Sequence, residues 1–255
     1  MPTPSVINKW RYSDAIGRAA WDQNNLFDNF AYNPVSAQVA GGAASGTAGH
    51  TNVMNTKKNS FEYFVLGTQT VLAPSLDSAG FGMNFTMTNT SNQGLEMTLG
   101  VLASSPASFL IGTSAAFFIR ANFTVTTTGN VNPLLIGFRK AQAYNATLST
   151  YTDFAAIGIV GTADPNELET QTQIGSAGVV STDTTQTIAD GTVFNLALFV
   201  DKSGNVTYQF NEQTPTVVAA YQFTAGLTVV PFFRMLLRGA SAQVSCNYFE
   251  VGYQS

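Results

Sequence analysis

In the stretch VTYQFN, the apolar Val206, Tyr208 and Phe210 alternate with the polar Thr207, Gln209 and Asn211. That two-residue period belongs to a strand with one face in a core and the other toward water. Just ahead, VFNLALFV places Phe194, Leu196, Leu198 and Val200 on one side of a second strand. The intervening DKSGN offers Gly204 and Asn205, residue types suited to positive φ, for the reversal. A hairpin follows whose two apolar faces pack on one core layer.

The same grammar runs from about Phe61 to the end of the chain. FEYFVLGTQTVL, FGMNFTMT, LEMTLGVL, AFFIRANFTVTTT, LLIGFRKAQAY, FAAIGIVG, TVVAAYQFT, VVPFFRMLL and AQVSCNYFEVGY are separated by segments rich in Gly, Pro, Asn, Ser and Asp. Many short runs at this spacing predict an all-β, antiparallel sandwich or barrel, and helical periodicity is nearly absent. No tandem repeat signals a propeller or β-helix. We therefore expect one β-sandwich domain over residues 56–255, preceded by an irregular arm and Gly-rich linker over residues 1–55.

The first thirty residues read differently. They hold both tryptophans, mixed charges and little strand alternation. A short helix is expected around Ser13–Trp21, with Ser13 or Asp14 as its cap. Aromatic side chains are favoured interface anchors, so Trp10, Tyr12, Trp21, Phe27, Phe30 and Tyr32 are candidates for docking the arm onto a partner or back onto its own body. The stretch AGGAASGTAGHTNV, residues 40–53, buries little and reads as linker.

Composition narrows the chemistry. With 255 residues, the chain has only 11 Lys and Arg against 15 Asp and Glu, well under the roughly 25% charge of an average domain. Small neutral polar groups take the remaining polar positions, which suits subunits packed against neighbours. A net charge of −4 without a basic cluster argues against direct nucleic-acid binding. Neither a membrane-spanning run nor the apolar core of a signal peptide is found, so neither membrane insertion nor classical secretion is expected.

Few reactive groups stand in useful patterns. The one histidine, His50, lies in the Gly-rich stretch, and the one cysteine, Cys246, alternates with Val244 as on the inner face of a strand. A Ser–His–Asp triad or a zinc site is therefore not expected, and Cys246 reads as a core residue. Glu167 and Glu169 are the nearest thing to the paired carboxylates of a glycosidase, but both would face the same side of one strand. Asp153, Asp164, Asp183, Asp190 and Asp201 read as turn formers without calcium-loop spacing. We expect no catalytic residues, no cofactor, no metal and no enzymatic activity. Asn-X-Ser/Thr triplets at Asn84, Asn89, Asn122, Asn145 and Asn205 carry no weight in a chain so rich in Asn and Thr.

The order SFLIGTSAAFFIRANFTVT, LLIGFRKAQAYNATLSTYTDFAAIGIVG, ADGTVFNLALFVDKSGNVTYQFNEQTPT, YQFTAGLTVVPFFRMLLRGA and YFEVGYQS resembles virion proteins of tailed bacteriophages. Their body is similar to a concanavalin A-like or laminin G-like jelly-roll sandwich. The similarity covers roughly residues 61–255 and rests on IGFRKAQAY, VTYQFN and VVPFF taken together. One departure is Asn211-Glu212, where laminin G-like hairpins usually continue with Asn-Gly. The resemblance implies a capsid decoration or cement protein. Its partners would be the major capsid protein and further copies of itself, as a homotrimer or homodimer. It would be made in the cytoplasm of a bacterial host and located on the capsid surface of the virion. The alternative is a tail-fibre or receptor-binding lectin-like module, in which exposed Tyr144, Tyr151 and Tyr221 stack on glycan rings.

Overall fold

The computed structural model describes residues 25–28, 35–38, 51–55, 60–66, 75–76, 83–87, 92–100, 107–161, 164–238 and 242–254. Among the described residues, the strands form two antiparallel sheets. The seven-stranded sheet runs β15 (Val206–Phe210), β14 (Val193–Val200), β9 (Phe117–Val125), β17 (Ala242–Tyr253), β6 (Met83–Met87) and β5 (Ser75–Leu76), with β1 (Asn25–Asp28) also on β17. The ten-stranded sheet runs β13 (Val180–Thr187), β12 (Glu167–Gln173), β11 (Phe154–Ile159), β10 (Val131–Lys140), β16 (Thr228–Leu237), β7 (Gly94–Thr98), β4 (Ser60–Leu66), β3 (Thr51–Asn55) and β2 (Val35–Gln38), with β8 (Phe109–Leu110) also on β16. This is an antiparallel sandwich, one of the two forms the spacing of the apolar runs predicts, in the jelly-roll arrangement that the resemblance implies.

Strand alternation decides what fills the space between the sheets. Phe117, Ile119, Ala121, Phe123 and Val125 of β9 share one buried core with Leu134, Ile136 and Phe138 of β10 and Val229, Phe233 and Met235 of β16. Ring contacts cross that core, with Phe123 stacked on Phe233 at 5.3 Å and Phe109 on Phe117 at 4.2 Å between centroids. Each such buried aromatic contributes about 1.5–3 kcal/mol through lost water contact.

The hairpin forms as expected, with Leu196 opposite Phe210 and Val200 opposite Val206. Its inward side chains join the common core, as does Cys246. Gly204 turns with φ +91°, and both Asp201 carboxylate oxygens accept bonds from Asn205. Three short strands fall within the segment read as arm and linker: β1 is hydrogen-bonded to β17, and β2 and β3 extend the ten-stranded sheet beyond β4. The helix expected around residues 13–21 lies outside the described residues.

Candidate functional site on the outward face of the ten-stranded sheet

Pleating turns alternate residues of the ten-stranded sheet away from the core. Phe64 of β4, Glu96 of β7, Arg234 of β16 and Leu135 of β10 are register neighbours in one outward row, since Glu96 pairs with both Phe64 and Arg234, and Arg234 with Leu135. Four residues along β10 from Leu135, Arg139 also points outward.

Glu96 is fully buried and accepts hydrogen bonds from three side chains. Arg139 Nε donates to its Oε1 at 2.9 Å, Tyr151 Oη donates to the same oxygen at 2.8 Å, and Arg234 Nη1 donates to Oε2 at 2.8 Å. All three donors are buried too. Charges can be kept out of water like this only when each is paired and hydrogen-bonded.

The burial comes from a strap, residues 141–153, that leaves β10 and lies across the face before returning as β11. Arg139 Nη1 donates to the carbonyls of Lys140 and Gln142 at 3.1 and 2.9 Å. Arg234 holds the carbonyls of Asn145, at 3.0 Å, and Ala146. At the far side the Tyr144 ring stacks on Phe64 with centroids 5.1 Å apart, and its hydroxyl donates to the Glu62 carbonyl at 2.9 Å. Gln173 Nε2 donates to the carbonyls of Tyr151 and Ser149 at 2.6 and 3.1 Å. Leu148, Tyr151, Phe154 and Phe232 make a small second core beneath the strap.

These contacts set the tyrosine chemistry. Burial, and then the negative charge of Glu96, push the Tyr144 and Tyr151 hydroxyls well above the usual phenol range. Burial alone does the same to Tyr208, and burial followed by Asp153 does so to Tyr221.

Three tyrosines expected to be exposed are thus placed differently. Tyr151 is 0% exposed and Tyr221 6%, so neither ring offers a face to a sugar. Tyr221 donates instead to the Gln173 carbonyl at 2.8 Å, and its ring stands edge-on to Phe223. Tyr144 is half-buried with a face on Phe64. The strap crossing the sheet covers Tyr151, whereas Tyr221 is buried in the main core between the sheets. Of the expected interface anchors, Trp10, Tyr12, Trp21, Phe30 and Tyr32 lie outside the described residues. The backbone of Phe27 is in β1, opposite Glu250.

Beside the strap a cleft of about 600 Å³ stays open. Asn92, Asn132, Thr147, Ser149, Gln171 and Arg234 supply its polar lining, and Leu66, Leu148, Val160 and Leu236 are among its apolar walls. Several polar groups are already held in place: Gln171 Nε2 donates to Ser181 Oγ at 2.9 Å, and Asn132 Nδ2 donates to the Gly161 carbonyl at 2.9 Å. Such a volume falls inside the range of small-molecule and oligomer clefts. Glu167 and Glu169 stand two apart on β12; Glu169 is buried, and loss of solvation followed by the charges of Asp183 and Asp164 raises the Glu167 carboxyl above its ordinary value. Among the described residues no group of three or more His, Cys, Asp or Glu side chains is arranged to hold a metal ion.

No family model and no curated protein matches the chain. Solved structures do. A protein of unknown function, SO2946 from Shewanella oneidensis MR-1, is similar over 94% of this chain and 95% of its own, with 12% identity and a TM-score of 0.53. The Emp46p carbohydrate recognition domain is similar over 76% of this chain and 89% of its own, with 8% identity and a TM-score of 0.52. Alginate lyase A1-II′, of polysaccharide lyase family 7, is similar over 73% of this chain and 86% of its own, with 14% identity and a TM-score of 0.48. The fold is therefore the concanavalin A-like jelly-roll sandwich, shared with lectin domains. None of the three is described as a virion protein. The expectation of a chain without enzymatic activity is corrected: alginate lyases and a family 16 glycoside hydrolase are among the solved structures similar to this chain.

Proposed function

We propose that the chain is a saccharide-binding module whose site is the cleft beside the strap. The observation that carries this reading is the lining itself. Fixed amides, hydroxyls and a guanidinium alternate there with aliphatic walls on a concave surface of about 600 Å³. Sugars present the matching chemistry, a ring of hydroxyls that both donate and accept, together with patches of C–H that pack on aliphatic groups. The fold shared with a carbohydrate recognition domain supports the same reading. Of the two roles implied by the resemblance to phage proteins, this cleft favours the receptor-binding module, because a decoration protein acting by surface packing needs no lined concavity. The capsid partner and the capsid-surface location rest on the resemblance alone.

The test is a glycan array followed by calorimetry on any glycan retained. Gln171→Ala removes one of the lining amides and should weaken binding about tenfold, the worth of one well-placed hydrogen bond. Thr147→Trp fills the cleft and should abolish binding. A chain that retains no glycan, or one whose binding survives both substitutions unchanged, overturns the reading.

A further inference from the structure

The strap supplies one wall of the cleft through residues 146–149, which belong to neither sheet. A single 3-10 turn, Leu148–Thr150, shapes that wall, and a turn so short does not hold one conformation unaided. Two buried side chains from different strands hold its ends. Upstream, Arg234 of β16 takes the carbonyls of Asn145 and Ala146. Downstream, Gln173 of β12 donates through Nε2 to the carbonyls of Ser149 and Tyr151 at 3.1 and 2.6 Å. Gln173 is opposite Phe154, whose side chain lies in the small core beneath the strap, so its amide leaves the sheet on the strap's side. Arg234 lines the cleft, whereas Gln173 stands behind the wall.

The other half of the Gln173 amide says why an amide is there. The residue is 2% exposed, and its Oε1 is buried with no hydrogen-bond partner among the described residues. Turning the amide over gives no relief, because two carbonyls accept from its nitrogen and an oxygen in that place would face them both. A buried acceptor left unpaired costs stability, and a leucine or methionine of similar size would avoid that cost. We propose that Gln173 is a positioning residue of the saccharide site: without touching the sugar, it seats the strap so that residues 146–149 stand as a fixed wall. The proposal rests on the saccharide-binding reading of the cleft. A wall seated for only part of the time lowers the apparent affinity by that fraction, so the side chain that seats it contributes to binding from behind.

Gln173→Leu tests this in the full chain, because it fills about the same space while removing both the unpaired oxygen and the two bonds to the strap. Its urea midpoint should stay close to that of the unaltered protein. Deuterium exchange of the backbone amides of residues 145–152 should rise by about tenfold or more, with those of β11 and β12 unmoved. Affinity for the glycan that the unaltered chain retains best on an array should fall about tenfold. A saturating level of that glycan should slow the strap's exchange again, since the sugar selects the seated wall. Gln173→Met, of similar length and without the amide, should behave alike and replaces the leucine variant if that one fails to fold. Gln186→Leu, which removes another amide with a buried, unpaired oxygen from β13 and touches no strap carbonyl, should leave exchange and affinity as they are. If the unaltered chain retains no glycan, the saccharide reading falls and this proposal with it. If the glycan is retained and Gln173→Leu binds it equally well, or its strap exchanges no faster, the positioning role alone is overturned. Protection lost equally from β11 and β12 overturns it too, since the substitution then loosens the sheet and not the wall.

Discussion

Glu96 is one carboxylate shared by two guanidiniums and a phenol, all of them out of water. Replacing it by Gln keeps the shape but leaves Arg139 and Arg234 facing each other across a neutral group. Removing one member of a buried ion pair typically costs about 3–5 kcal/mol, because the partner charge stays buried. We expect Glu96→Gln to lose stability of that order in urea unfolding, and a loss below about 1 kcal/mol would show that the network is not held together by charge. The network was hidden in the sequence, where Glu96 in LEMTLGVL, Arg139 in LLIGFRK and Arg234 in PFFRMLL read as isolated charges in three distant strands. A signal was nevertheless there: in a chain with so few charges, a charge in the middle of an apolar strand marks an outward position that needs a partner.

Elements meet tightly where β10 and β11 carry glycines. A Cβ at Gly158 would stand 1.8 Å from the Leu134 carbonyl oxygen, and one at Gly137 would stand 2.1 Å from that of Ala155. Neither neighbour can yield, because both are backbone inside a sheet. Gly158→Ala should therefore cost about 3 kcal/mol or more through forced separation of the strands. Gly175→Ala, in the β12–β13 turn with φ +54° and open space around it, should cost only about 1 kcal/mol from backbone strain. Equal losses in unfolding experiments would refute the close-approach argument. Most strands from Phe61 onward were legible, because each buries one face and period-two alternation survives any tertiary arrangement. The strands β1, β2 and β3 were not legible, since four or five residues at a sheet margin carry too little pattern to stand out. The strap was illegible for another reason: NATLSTYTD has the composition of a surface turn, and only the path of the chain across the sheet buries its tyrosine.

At the scale of the whole molecule, four tyrosines among the described residues respond to pH in the same direction. Burial holds the hydroxyls of Tyr144, Tyr151, Tyr208 and Tyr221 in their neutral form to higher pH than in the unfolded chain. The unfolded chain ionises them near pH 10. It therefore releases protons that the folded protein keeps, so rising pH favours unfolding, and the contribution is fully present below about pH 10 and lost progressively above it. Tyr208 separates this effect from hydrogen bonding, because its buried hydroxyl has no hydrogen-bond partner among the described residues. Tyr208→Phe deletes a titrating group and relieves an unpaired buried oxygen without breaking a bond. Urea midpoints measured from about pH 8 to pH 11.5 should fall steeply beyond pH 10 in the unaltered protein and less steeply in Tyr208→Phe, with the variant at least as stable at neutral pH. An alkaline slope identical in the two proteins would mean that Tyr208 ionises in the folded state as readily as in the unfolded chain, and that the space between the sheets admits the charge its apolar lining should refuse.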